Sequence, residues 1–431
     1  MKNISRQTIY KYYDTHKQIV DNFSYITILQ LFTIVAPLIT YPYLVRVLGK
    51  ELYGIVLSAQ MLVSYVSLVV DFGSNNVCAK HVSIHRDNKV KLSEILSSVL
   101  CARFLLWIIS FAVYYVVITI IPAYREYLLL FVISYFLSIQ DVLFPQFFFQ
   151  GIEQMKFTTY ITIGIRLFFI ILVFPVVTNK SDYIMVPLLY SIGYMLGGIV
   201  SLYIIVSRLG IHFQKPKLEN MFFYVKDSSA IFATQLITTI KDKLNYLFVG
   251  TFAGMSNVVI YDLGLKLNSL ILKPVSILMV VLFPRMAKTR NVNNLIKSMC
   301  IAVPLVFLLV VLINLFLPWI VRFFMGTDNI DFLPLRLFSI SPILLSASIL
   351  LANNYFVAFG HNKYVLYSII ITTSAYLIAL ALLFFTNHIN TIYAFVSISL
   401  FSHAVELIYR ACVFLKMNKR TCLKNNEVSP L

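Results

Sequence analysis

Apolar residues fill this chain in long runs, and the polar residues collect between the runs. A helix needs about 20 apolar residues to cross the hydrocarbon core of a bilayer. The stretches 22–45, 52–70, 104–124, 183–207, 298–321 and 337–362 reach that length with no Asp, Glu, Lys or Arg. A further run, 364–405, is too long for one helix and breaks at the polar turn 386–391, giving two spans. Charge interrupts four more candidates, at 127–149, 157–178, 228–250 and 258–283. The pattern predicts an all-α integral membrane protein of about twelve transmembrane helices.

Between the sixth and seventh spans lies 208–226, where bases mix with Phe213, Met221, Phe222 and Phe223. It reads as an amphipathic linker on the membrane surface. It sets the expected domains: a six-helix bundle over 1–215, a second over 216–415, and a basic tail over 416–431. The spacing from Gly49 to Gly151 resembles that from Gly254 to Gly360, a weak trace of an internal repeat.

Composition excludes a soluble fold. Only 12% of the 431 residues are charged, against about 25% in soluble domains. Mean hydropathy is +0.84. The net charge of +17 sits between the apolar runs, which points to membrane topology and not to nucleic acid. One alternate set of loops holds 22 Lys and Arg and the other holds 5. The positive-inside rule then predicts that both termini are cytoplasmic. The polar, basic stretch 1–22 does not resemble a cleaved signal peptide. Cys78, Cys101, Cys300, Cys412 and Cys422 form no CxxC pair and read as small apolar residues. No loop exceeds about twenty residues, which leaves no room for an extramembrane catalytic domain. No phosphate loop, H-E-x-x-H or G-x-S-x-G motif occurs. His81 and His85 have a metal-compatible spacing but no companion ligands, and read as solvated. No cofactor or metal is expected.

Charges inside the spans are costly and mark function or internal pairing. Asp262, Lys266, Ser269 and Lys273 form one helical stripe in span eight. Thr234, Thr238, Lys241 and Asn245 form another in span seven, with Gln235, Thr239 and Asp242 beside it. Two readings compete for these faces: interhelical pairing that involves Lys241, Asp242 and Lys243, or a solvated translocation cavity. In the first half, Arg103 and Arg166 lie inside spans, and Arg46 follows Pro37 and Pro42. Arg46 reads equally well as snorkelling to the headgroups. Ser134, Ser138, Asp141 and Pro145 share the same spacing, so Asp141 is either an ion site or a structural acceptor. His403, Glu406 and Arg410 share a face of span twelve, with Glu406–Arg410 read first as a structural pair. Bases outnumber acids among these groups, and such a cavity attracts an anion of the phosphate or pyrophosphate class.

Three stretches carry a resemblance: PLITYPYLVRVLG at 37–49 with Tyr53-Gly54 and then DFG at 71–73; PQFFFQGIEQM at 145–155; and VIYDLGLK at 259–266 running to LFP at 282–284. With these the chain resembles the Wzx-type O-antigen flippases, in the polysaccharide-transport branch of the multidrug/oligosaccharidyl-lipid/polysaccharide exporter superfamily. The resemblance implies two six-helix bundles around a central, alternately opening cavity, a MATE/MurJ-like arrangement. It implies a bacterial inner-membrane transporter, not an enzyme, that moves a polyprenyl-pyrophosphate-linked oligosaccharide from the cytoplasmic to the periplasmic leaflet. Its partners would be that substrate, membrane lipid, and the polysaccharide polymerase and chain-length machinery. Arg46, Arg166, Lys241 and Lys266 are the best counterparts of the family's cavity bases, with Arg103, Lys243 and Lys273 beside them. Asp141, Asp242, Asp262 and Glu406 are the candidate ion-coupling groups. Asp262 departs from the family pattern and argues against a purely anion-binding cavity. A cation-coupled drug exporter would call for an acidic or aromatic cavity. A membrane polymerase or ligase would call for a large periplasmic loop.

Overall fold

The computed structural model describes residues 6–326 and 331–427. Side chains are described over 21–418, apart from 327–330 and those of Phe23, Lys241, Asp242, Val280, Val281, Pro284 and Arg285. Every regular element among these residues is helical. The chain divides into two compact units, Met1–Leu236 and Ile237–Leu431.

The first unit opens with α1 (Arg6–Asp71), α2 (Ser74–Ile84) and α3 (Lys89–Ile120). Short pieces follow: α4 (Pro122–Arg125), α5 (Leu128–Tyr135), α6 (Ile139–Leu143) and α7 (Gln146–Gly151). It continues with α8 (Met155–Val176), α9 (Met185–Ser207) and the start of α10 (Leu218–Phe248), in which the division falls. The second unit holds α11 (Met255–Thr289), α12 (Val292–Met325), α13 (Leu333–Phe338), α14 (Ser341–Leu350), α15 (Asn362–Phe385) and α16 (Ile392–Glu427).

Nine segments of the described chain are long and apolar enough to cross a bilayer. The expected number was about twelve, and the difference has two sources. Stretches 22–45 and 52–70 belong to one segment, Ser24–Ile84, without a loop between them. Stretches 228–250 and 258–283, which carry the polar stripes, fall on α10 and α11, outside the nine. The outer faces require hydrocarbon. The most apolar window of α12 has a mean hydropathy of 3.0, yet only 22% of it is buried; for α15 the values are 2.2 and 17%. Ile109, Val113, Leu315 and Trp319 are exposed, a surface that water would not tolerate over this area.

Two loop expectations and one span expectation are corrected. Most of 72–92 is helix α2, because Val77, Cys78, Ala79 and Val82 give it a buried face. It joins α1 through two left-handed residues, Phe72 (φ 46) and Gly73 (φ 73). The linker 208–226 is irregular only to residue 217, after which α10 begins; Phe222 and Phe223 are exposed while Met221 is buried. Span four is discontinuous, since Pro145 lacks an N–H and ends the helix between α6 and α7.

Gly49 interrupts α1 at φ 80, ψ 164, and Gly254 precedes α11 at φ 98, ψ 150. Both lie in a region open essentially only to glycine. These two positions of the weak repeat thus share one backbone conformation. The other two do not: Gly360 has φ 83, whereas Gly151 lies within α7.

The core of the first unit packs Phe147, Phe148 and Phe149 against Cys78, Val82, Ile95 and Ile205. Here α7 meets α2 at Gly151. A Cβ at that position would stand 2.6 Å from Val82 Cβ and 2.7 Å from the Ala79 carbonyl oxygen. Neither neighbour can swing away. Gly151→Ala is therefore expected to destabilise the unit by about 1–3 kcal/mol, read as a lower melting temperature of the purified protein. A variant that melts with the wild type would show that α2 and α7 separate freely. In the second unit, one cluster centres on Val275 and Val306 and another on Tyr355 and Phe356.

Candidate functional site

Each unit encloses a polar cavity of its own. In the first, Gln60, Ser64 and Ser67 of α1 face Gln140 and Asp141 of α6, Arg166 of α8, and Tyr190 and Tyr194 of α9 around about 310 Å³. Gln60, Ser64 and Ser67 stand at i, i+4 and i+7, so one helical face carries all three. Span two contains the same stripe rule that marked spans seven and eight, and applying it there would have found these residues. Tyr190 and Tyr194 carry no such signal in a single sequence.

Arg166 is the one described cation in this wall. Its Nε is buried and has no hydrogen-bond partner among the described residues. An unsatisfied buried donor costs about 1–3 kcal/mol, so this Nε favours an added acceptor, whether water or a ligand atom.

Arg103 behaves differently, and its placement corrects the expectation of a cavity residue. It is only 2% exposed. Its Nε donates to Ser74 Oγ at 2.9 Å, and one Nη to Asp71 Oδ1 at 2.6 Å and Asn75 Oδ1 at 3.1 Å. The other Nη donates to the Asp141 carbonyl oxygen at 2.8 Å. The guanidinium lies 5.1 Å from the centre of the Phe147 ring. It clasps the α1–α2 junction to the end of α6, and its donors are taken up within the fold.

The second cavity encloses about 460 Å³. Its wall includes Thr238 and Asn245 of α10, Tyr261, Asn268 and Ser269 of α11, and Ser399, Ser402, His403, Glu406 and Arg410 of α16. The five α16 residues lie on one helical face. Asn245 donates to Ser399 Oγ at 2.7 Å and accepts from the Tyr376 hydroxyl at 2.7 Å. Arg410 pairs with Glu406 at 2.6 Å and donates to the Ser348 carbonyl oxygen and hydroxyl at 3.1 and 2.8 Å. Its Nε donates to Ser368 Oγ at 3.1 Å. His403 Nδ1 lies 3.2 Å from Ser341 Oγ.

The other candidates are scattered. Lys266 pairs with Asp262 one turn earlier on α11. Ser269 of that stripe lines the second cavity, whereas Asp262, Lys266 and Lys273 line neither cavity. Arg46 is exposed and Lys243 half-buried, and both also lie outside the two walls. The side chains of Lys241 and Asp242 fall outside the described residues. His81 is not merely solvated: its Nε2 lies 2.8 Å from Asp227 Oδ2, and its ring packs against Phe223 and Tyr224. Among the described residues, no group of three or more His, Cys, Asp and Glu could hold a metal. Cys78 is buried, while Cys300 and Cys412 are exposed.

Comparison with known proteins adds a family. Residues 19–290 match the model of a family described as polysaccharide biosynthesis protein. A protein of Escherichia coli (strain K12) named "Putative O-antigen transporter" is 24% identical over 348 residues, covering 78% of this chain and 84% of its own. Its namesake in Shigella dysenteriae is 26% identical over 288 residues, 63% of this chain and 71% of its own. Among solved structures, an inward-facing multidrug resistance MATE transporter of the MOP superfamily aligns with a TM-score of 0.66 at 13% identity. That alignment covers 91% of this chain and 96% of the transporter. The lipid II flippase MurJ in an inward closed conformation also scores 0.66, at 13% identity, over 90% of this chain and 87% of its own. At these identities the likeness is one of fold.

Proposed function

The chain belongs to the polysaccharide biosynthesis protein family, and from that premise we propose that it is a flippase for a lipid-linked oligosaccharide. The cargo in this reading is a polyprenyl-pyrophosphate-linked repeat unit of O-antigen or a related surface polysaccharide. It moves from the cytoplasmic to the periplasmic leaflet of the bacterial inner membrane by alternating access, with both chain termini cytoplasmic. The relatives named "Putative O-antigen transporter" support this class, and the fold shared with the lipid II flippase MurJ suits it. Polymerase and chain-length proteins would act on the product.

The observation that carries the reading is Arg166. A sugar pyrophosphate does not enter hydrocarbon unaided, because each unpaired polar group costs several kcal/mol, roughly 2–7. A guanidinium with an open Nε in a low-dielectric wall offers charge and directed donors to a phosphoryl oxygen. The amides of Gln60 and Gln140 and the Tyr190 and Tyr194 hydroxyls supply further polar contacts around it. Asp141 in the same wall is the ion-coupling candidate nearest to this chemistry.

The test uses the native strain deleted for this chain and complemented with variants. Arg166→Gln is expected to lower surface polysaccharide at least about tenfold, the loss of roughly 1.4 kcal/mol or more of charge-assisted binding, with the membrane level of the protein unchanged. Arg166→Lys should fall between. Wild-type polysaccharide in Arg166→Gln would sink the assignment. A gain of drug sensitivity on deletion, with polysaccharide intact, would favour the exporter class instead.

A further inference from the structure

We propose that the cavity of the second unit is a saccharide subsite for an uncharged pyranose ring. The inference rests on the flippase reading for its biological role but not for its chemistry. Charge comes first. Among the described residues, the one carboxylate and the one guanidinium in this wall neutralise each other at 2.6 Å, and both are about 5% exposed or less. Three further contacts from Ser348 and Ser368 occupy Arg410. This pair therefore leaves the wall without net charge, and neither an anion nor a cation is favoured there over an uncharged ligand.

Uncharged groups remain. Ser402 Oγ is buried, in a residue 2% exposed, and has no hydrogen-bond partner among the described residues. It lies in the cavity wall at membrane depth, where such a group is costly to leave unmade. Asn268 donates from Nδ2 to the Phe338 carbonyl oxygen at 3.1 Å, which leaves a second N–H and Oδ1 for a ligand. Ser269 donates to the Lys266 carbonyl oxygen at 2.8 Å and keeps its acceptor lone pairs. Together these present both donors and acceptors, the pairing that sugar hydroxyls require.

The remaining wall is aromatic and aliphatic. Tyr261 and Phe338 stack at 5.0 Å, and Tyr376 lies in the same wall. Aromatic walls with a few placed polar groups are the usual composition of a small-molecule site, and 460 Å³ falls within the usual range of about 300–1,000 Å³. A pyranose presents C–H faces to such rings and hydroxyl edges to Ser402 and Asn268.

The experiment uses the full chain in nanodiscs free of glycoside detergent. Saturation-transfer NMR is run with glucose, galactose, mannose and N-acetylglucosamine as probes, and separately with inorganic pyrophosphate. At least one sugar is expected to receive saturation. Ser402→Ala should weaken that binding about two- to tenfold, the worth of one hydrogen bond. The same variant should melt no lower than the wild type, because it removes a buried group without a partner. Asn268→Leu should abolish the sugar signal and leave pyrophosphate binding intact. Absence of saturation in every sugar, or equal saturation in Asn268→Leu, overturns the subsite and identifies the space as a hydrated void; pyrophosphate binding would then still stand. Sugar binding by a chain whose deletion leaves surface polysaccharide intact would instead keep the subsite and remove the flippase reading.

Discussion

Arg103→Met will cost the folded protein about 3–5 kcal/mol, and its level in the membrane will fall more than tenfold. The substitution keeps volume and removes the cation. Asp71, whose side chain is 15% exposed, then holds a charge with no counter-ion in a low-dielectric setting. Ser74, Asn75 and the Asp141 carbonyl lose their donor as well. Arg103→Lys should recover little, since an ammonium is a point donor and cannot reach four acceptors arranged around a planar fork. The double variant Arg103→Met with Asp71→Leu should recover part of the loss, because removing both charges is much less costly than removing one. Melting temperature and membrane abundance of the three variants check this. A single variant that folds like the wild type would show that the cluster does not hold the α1–α2 junction.

Glu406→Gln should have a loss of similar size, about 3–5 kcal/mol, for the mirror-image reason. It leaves Arg410, 4% exposed, as an unpaired cation inside the second unit. Ser348 Oγ, which donates to Glu406 Oε1 at 3.3 Å, then meets a neutral amide in place of a carboxylate. Arg410→Met should cost a similar amount, and Glu406→Leu with Arg410→Met should restore a substantial share. This pattern separates a structural pair from an ion-coupling carboxylate. A coupling carboxylate would accept Gln with normal abundance and show a changed dependence on the ion gradient. Normal abundance of Glu406→Gln would therefore return Glu406 to the coupling candidates.

The helices and their apolar faces were legible in the sequence, because hydrocarbon imposes length and polarity on each span independently of its neighbours. The breaks within spans were less so. Gly49 sits inside a stretch that remains helical on both sides, and its φ of 80 leaves no trace in hydropathy. Helix α2 was hidden because Ser74, Asn75, Asn76, Lys80 and His81 make its composition polar, while Val77, Cys78, Ala79 and Val82 carry its apolar buried face. For the site, residue type was legible and commitment was not. Arg103 and Arg166 look alike in the chain, each a lone base in an apolar run. What separates them is Asp71 and Ser74, about thirty positions before Arg103 and folded onto it. The α16 face of Ser399, Ser402, His403, Glu406 and Arg410 was half read, because its serines only acquire meaning from the cavity they border.

Two buried ion pairs among the described residues share an order along the chain. Asp71 precedes Arg103, and Glu406 precedes Arg410. Synthesis runs from the N-terminus and delivers roughly 5–20 residues per second. Each of these bases therefore leaves the ribosome after its acid is already available. Glu406 and Arg410 can enter the bilayer as a single neutral helix. Arg103, whose acid lies on an earlier helix, cannot be settled until α1 and α3 meet. Its clasp ties the settling of Arg103 to the meeting of α1 and α3, all of whose residues are synthesised before the second unit.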